Sequence, residues 1–113
     1  MSRLMKQRLH EIQVSCQAIL KYTDGVDFET YLQDSMMKDA VERRLGIIGE
    51  ALHRAEQLDS DISLRISDIR PIVGMRHRLI HGYEAVDDEL VWNTLKLDLP
   101  GLQAQVSALL QED

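Results

Sequence analysis

One cysteine, two prolines, one phenylalanine and one tryptophan are all that this 113-residue chain contains of those four types. The single Cys16 excludes an intrachain disulfide and any thiolate metal cluster built from one chain, and it fits a reducing cytosol. Aromatic residues make up 4%, and β-branched runs are few, which is poor material for a sheet. No uninterrupted apolar run reaches the length of a membrane span, and the opening MSRLMKQRLH is amphipathic and charged rather than signal-like. Secretion and membrane contact are therefore not expected, and the expected location is cytoplasmic. Basic residues are in deficit, 13 Lys and Arg against 19 Asp and Glu, for a net charge of -6. That balance excludes a protein that coats nucleic acid with a generally basic surface, but not one with a local basic site.

What the chain does have is Leu, Ala, Glu, Gln, Arg and Met in abundance, which are helix formers. The expected fold is all-α, and residues 1–113 have the length of one domain. Apolar positions from Leu4 to Tyr22 recur at three- and four-residue steps and predict a first helix. TDGVD breaks it, a short helical piece follows around Phe28 to Gln33, and a long helix is expected from Met37 to Leu58. Gly46 and Gly49 inside that helix weaken it unless another helix crosses close by. QLDSDISLRISD reads as a loop, with Ser67 or Asp68 capping a third helix that carries Pro71 in its first turn and stops near Gly82. A further helix opens at Asp87, carries Leu90, Val91, Leu95 and Leu97, and is interrupted at Asp98-Leu99-Pro100 before a last helix with Leu102, Val106, Leu109 and Leu110. The pattern is that of an antiparallel bundle of four or five helices.

The third helix is unusual. A helical wheel places Ile69, Ile72, Val73, Leu79, Ile80 and Tyr83 on one face, with Arg76 among them. A guanidinium there cannot shed its charge, so it needs a carboxylate, backbone carbonyls, a phosphate or a wet subunit interface. Glu42, Glu50 and Glu56 on the long helix are possible partners. His81 follows five positions later, about 140° around an ideal helix, so the two do not share a face. They converge only if the helix unwinds at Gly82, or if Arg76 of one subunit meets His81 of another. Residues 65–83 hold Arg65, Arg70, Arg76 and Arg78 against Asp68 alone, a net of +3, whereas 84–113 hold Lys96 against seven carboxylates, a net of -6.

Two chemistries compete for this helix. His77 and His81, one turn apart, form half of a metal site, with His53 or a carboxylate completing it, but the glutamate of an HExxH motif is missing. The other is a metal-free phosphoryl site. Histidine moves protons near neutral pH and arginine holds phosphate while negative charge grows on it, so an Arg and a His with a nearby Tyr can cleave RNA through its own 2′-hydroxyl.

Val41 to Leu52, VERRLGIIGEAL, together with Gly74 to Leu102, GMRHRLIHGYEAVDDELVWNTLKLDLPGL, resembles the HepT-like branch of the HEPN (higher eukaryotes and prokaryotes nucleotide-binding) superfamily. Its hallmark, Arg, four residues, His, any residue, Tyr, is matched by Arg76, His81 and Tyr83. The resemblance implies an all-α homodimer whose Arg and His line a shared cleft, with metal-independent endoribonuclease activity and no cofactor. It further implies a bacterial toxin of a type II, or type VII-like, toxin–antitoxin pair, neutralised by a small nucleotidyltransferase that attaches AMP to the motif tyrosine, here Tyr83. On this likeness His81 is the general acid or base and Arg76 stabilises the charged phosphorane. His77, Arg70 and Arg78 are supporting or substrate-binding candidates. The family commonly has Asn or Asp where this chain has His77, and a tryptophan near Ile69. A non-catalytic module that binds a nucleotide or the nucleotidyltransferase is the alternative.

The remaining candidates read as structural. Tyr83 also suits packing with its hydroxyl at the rim. Trp92 and Phe28 suit the core or an interface, Met36-Met37 gap filling or contact, Cys16 the core of the first helix, and His10 and His53 the helix surface.

Overall fold

The computed structural model describes residues 1–67, 69–81 and 86–112, with residues 80 and 81 described as backbone only. Among them there is no strand. The order is α1 (Arg3–Tyr22), α2 (Phe28–Gln33), α3 (Ser35–Leu58), a 3₁₀ turn (Ser60–Leu64), α4 (Ile69–His81), α5 (Asp88–Asn93), a π turn (Thr94–Asp98) and α6 (Leu99–Gln111). The fold is an all-α helical bundle.

Short polar side chains set the helix starts by accepting otherwise orphaned amide protons. Ser2 Oγ accepts from Met5 N at 3.1 Å, Asp27 from Thr30 N at 2.8 Å, Asp34 from Met37 N at 3.0 Å and Asp87 from Leu90 N at 3.1 Å. The break after α1 is built on Gly25, whose φ of 70° is the left-handed conformation that favours glycine. α3 packs against both α1 and α4, and α6 packs against α1. Leu9, Ile12, Cys16 and Ile19 of α1 are fully buried with Val41, Leu45, Ile48 and Leu52 of α3 and Leu102 and Val106 of α6. Gln13 Nε2 donates to Ser107 Oγ at 3.0 Å, tying α1 to α6 at the rim.

Local expectations are corrected directly after α3 and around Asp98-Leu99-Pro100. The loop after α3 contains a 3₁₀ turn, because Asp59 accepts from Asp61 N at 3.0 Å and tightens the chain directly after the helix. Ser67 is engaged by Gln105, whose Oε1 accepts from Ser67 N at 3.2 Å and whose Nε2 donates to Ser67 Oγ at 3.1 Å. The other cap candidate, Asp68, lies outside the described residues. The chain is also not interrupted at Asp98-Leu99-Pro100. It runs from α5 through the π turn into α6, and Pro100 sits in the first turn of α6, where a missing N–H costs nothing. Leu95 is fully buried but Leu97 is 77% exposed, since residues two apart lie on opposite sides of a helical segment.

Candidate active site

α4 is regular through His81, and its buried side is made of Ile69, Ile72 and Met75, with Val73 and Leu79 half-buried. Arg76 sits on that side against α3. Its Nη2 lies 2.6 Å from Glu50 Oε2, with both side chains half-buried. The ion pair expected for Arg76 is therefore present, and Glu50 is the partner among the three glutamates considered. Glu50 Oε2 and Arg76 Nε are nevertheless buried without an aligned hydrogen bond, so the pair is held by charge and is not a two-pronged fork.

Glu50 has a second cation. Arg54 Nε donates to Glu50 Oε1 at 2.8 Å, one helical turn along α3. That hydrogen bond, followed by the positive charges of Arg76 and Arg54, holds the Glu50 carboxyl below its ordinary value, against the opposing effect of burial. The signal for this second contact in the sequence is the i, i+4 spacing of Glu50 and Arg54.

The glycines of α3 divide into two kinds. A Cβ at Gly49 would overlap Arg76 Cβ and come within 3.1 Å of the Ile72 carbonyl oxygen, so Gly49 is where α4 crosses α3, as expected. Gly46 is different, because a Cβ there would meet nothing within 4 Å. Its missing side chain opens a groove of about 640 Å³ beside the ion pair, lined among others by Arg8, Arg43, Glu50, Arg54 and Leu79. The expected close crossing at Gly46 is corrected accordingly.

The other expected site residues divide by position. His77 is exposed and makes an interaction of its own. Arg70 and Arg78 are exposed and line a separate groove with Gly74. His81 is the last residue of α4, and only its backbone is described; Tyr83 lies outside the described residues. Because α4 is still α-helical at His81, positions 76 and 81 stand about 140° apart around its axis and about 7.5 Å along it. The helix does not unwind before His81. Among the described residues no group of three His, Cys, Asp or Glu side chains is placed to hold a metal, and no helix is long and apolar enough to cross a membrane.

The family model described as "Ribonuclease HepT-like" matches residues 12–109. The chain belongs to the HepT-like ribonuclease family. It is similar to a "Probable ribonuclease HepT" of Thermococcus cleftensis, 34% identical over 111 residues that cover 96% of this chain and 98% of the relative. A protein named "Putative RNase" in Caldanaerobacter subterraneus subsp. tengcongensis is 32% identical, covering 93% of each chain. Another of that name in Methanocaldococcus jannaschii is 30% identical, covering 92% of this chain and 94% of the relative. No solved structure matches the chain.

Proposed function

We propose that this HepT-like ribonuclease is a metal-independent endoribonuclease, folded as a single domain, that works as a homodimer with Arg76 and His81 of both subunits around one cleft. The observation that carries this reading is the separation of positions 76 and 81 on one uninterrupted helix. A single chain presents them on different sides, and a two-fold pairing of α4 helices brings an arginine of one chain beside a histidine of the other. In the reaction the 2′-hydroxyl oxygen bonds to the adjacent phosphorus while the bond from phosphorus to the 5′ oxygen breaks. The products are a 2′,3′-cyclic phosphate and a 5′-hydroxyl. His81 takes the proton of the 2′-hydroxyl or supplies one to the leaving oxygen, and Arg76 stabilises the charge on the phosphorane oxygens.

The cellular role that fits is the cytoplasmic toxin of a toxin–antitoxin pair, with a small nucleotidyltransferase as partner. That partner would silence the toxin at Tyr83, whose hydroxyl oxygen bonds to the α-phosphorus of ATP as pyrophosphate leaves. An added AMP two residues from His81 places negative charge where the RNA phosphate has to enter.

The test is cleavage of RNA by the purified chain in EDTA. Activity is expected for the wild type and a loss of at least about 100-fold for Arg76→Ala and for His81→Ala. Cleavage that survives both substitutions overturns the assignment. Absence of cleavage by the wild type, with the nucleotidyltransferase still bound, favours the non-catalytic module.

A further inference from the structure

Arg70, Gly74 and Arg78 follow one another at four-residue steps on α4, which keeps them on one side of the helix over about 12 Å of its axis. They line a groove of about 380 Å³ that is completed by residues including Leu90 of α5 and Thr94 and Asp98 of the π turn. Both arginines are exposed, and neither has an ion pair or hydrogen bond among the described residues. Elsewhere in the chain Arg8, Arg54, Arg65 and Arg76 are each paired with a glutamate. Asp98, the carboxylate of this groove, has an interaction of its own, and the Thr94 hydroxyl donates to the Leu90 carbonyl at 2.8 Å. The groove therefore carries two guanidinium groups against one carboxylate, a net positive lining.

Gly74 adds an independent indication. Glycine weakens a helix interior, and here no packing neighbour requires it, since a Cβ would meet nothing within 4 Å. Its effect is to keep the floor of the groove open between the two arginines. The π turn beside it is a departure from α geometry of the kind often found at functional sites.

We infer that the Arg70–Gly74–Arg78 groove is a second anion site, separate from Arg76, that holds backbone phosphates of single-stranded RNA next to the bond being cut. Arginine suits this ligand because its planar donors match phosphate oxygens. Positions 70, 74 and 81 fall within about 40° around the helix, whereas position 76 lies about 120° or more away from them. A strand lying along the groove therefore runs towards position 81. The inference rests on the ribonuclease reading and adds to it the path of the substrate backbone.

The test is binding of a fluorescent single-stranded RNA to the full chain, with His81→Ala in every protein to prevent cleavage, between 50 and 200 mM salt. Two phosphates fewer reduce the slope of log affinity against log salt by about 1.4. The parent therefore loses roughly seven-fold more affinity across that range than Arg70→Ala/Arg78→Ala. Arg70→Lys/Arg78→Lys keeps the charges and is expected to keep the slope, which separates phosphate contact from a folding defect. With the native His81 restored, so that cleavage can be followed, the double alanine variant should raise KM and leave kcat within about two-fold, as for uniform binding. An unchanged slope and KM in a folded double alanine variant overturn the groove while leaving ribonuclease activity standing. A wild type that does not cleave, while the slope still falls in the variant, overturns the activity and supports the groove.

Discussion

Gly49 of α3 and Arg76 of α4 are in contact at the crossing of the two helices, with no room for a side chain on the α3 side. The position of Arg76 is thus set by a hydrogen atom on its neighbour. Gly49→Ala gains about 1 kcal/mol of helix propensity. It also forces apart atoms at the root of Arg76 and the Ile72 carbonyl, which move only with the α4 backbone. Overpacking costs about 1–3 kcal/mol, so the net expectation is a loss of stability together with a larger loss of cleavage. Gly46→Ala, with open space around it, is expected to stabilise by up to about 1 kcal/mol. Urea midpoints of the two variants check the opposite signs, and equal shifts would contradict the crossing geometry.

Glu50 couples this crossing to pH. Its carboxyl is held below the ordinary value of 4.5, first by the Arg54 hydrogen bond and then by the neighbouring positive charges, Arg76 foremost. A depressed carboxyl stabilises the fold above the unfolded-state value, and that contribution is lost as pH falls through the folded value. Glu50→Gln should therefore flatten the acid limb of stability below about pH 4.5, while at neutral pH it costs no more than about 1 kcal/mol because the pair is partly solvated. Arg76 loses its charge partner in the same variant, so kcat is expected to fall about 10- to 100-fold from misplacement, with KM changed less. Stability against pH and steady-state kinetics on one preparation read both effects.

Much of this arrangement is legible in the residues, because helical periodicity and capping are local. The limits of α1 and α3, the burial of Cys16 and the oddity of Arg76 all follow from spacing along single helices. The partner of Arg76 does not, since Glu42, Glu50 and Glu56 are all candidates until the register of α3 against α4 is known. Gly46 and Gly49 look alike in sequence and differ only in what lies opposite. The π turn also escapes, because nothing in the run Thr94–Asp98 marks an extra residue per turn. The proposed pairing of α4 across two subunits would be an intermolecular register, which no spacing within one chain contains.

Cys16 offers a test of the core itself. Burial pushes its thiol from an ordinary 9.0 up to about 12, because the thiolate finds no charge or donor among its apolar neighbours. A raised acid value means that the stabilising neutral form is fully present below pH 9.0, and that stability is lost as pH rises from there towards about 12. Cys16→Ala should lower stability at neutral pH by about 1–2 kcal/mol as a small cavity opens, yet show a shallower alkaline loss than the wild type. In the native wild type the thiol should resist alkylation at pH 8 and react at the free-thiol rate in urea. Rapid native alkylation would contradict its burial.

Tyr31 is fully buried, with its ring 4.9 Å from that of Trp92, whose other neighbour Phe28 lies at 6.0 Å. Its hydroxyl has no hydrogen-bond partner among the described residues. Burial raises the hydroxyl's pKa, and the nearby carboxylates of Glu42 and Asp88 raise it further. The ring contributes packing while the hydroxyl contributes a desolvation penalty, and the two can be separated by one atom. A buried donor without an acceptor costs about 1–3 kcal/mol, so Tyr31→Phe keeps the aromatic contact and is expected to stabilise by about 1 kcal/mol. For a domain of this size that is a rise in melting temperature of roughly 4–8 °C. Tyr31→Leu, which removes the ring from Trp92 as well, should move the melting temperature the other way. A fall for Tyr31→Phe would mean that the hydroxyl is bonded in solution, and would shift the energetic weight of this corner from stacking on Trp92 to a polar contact.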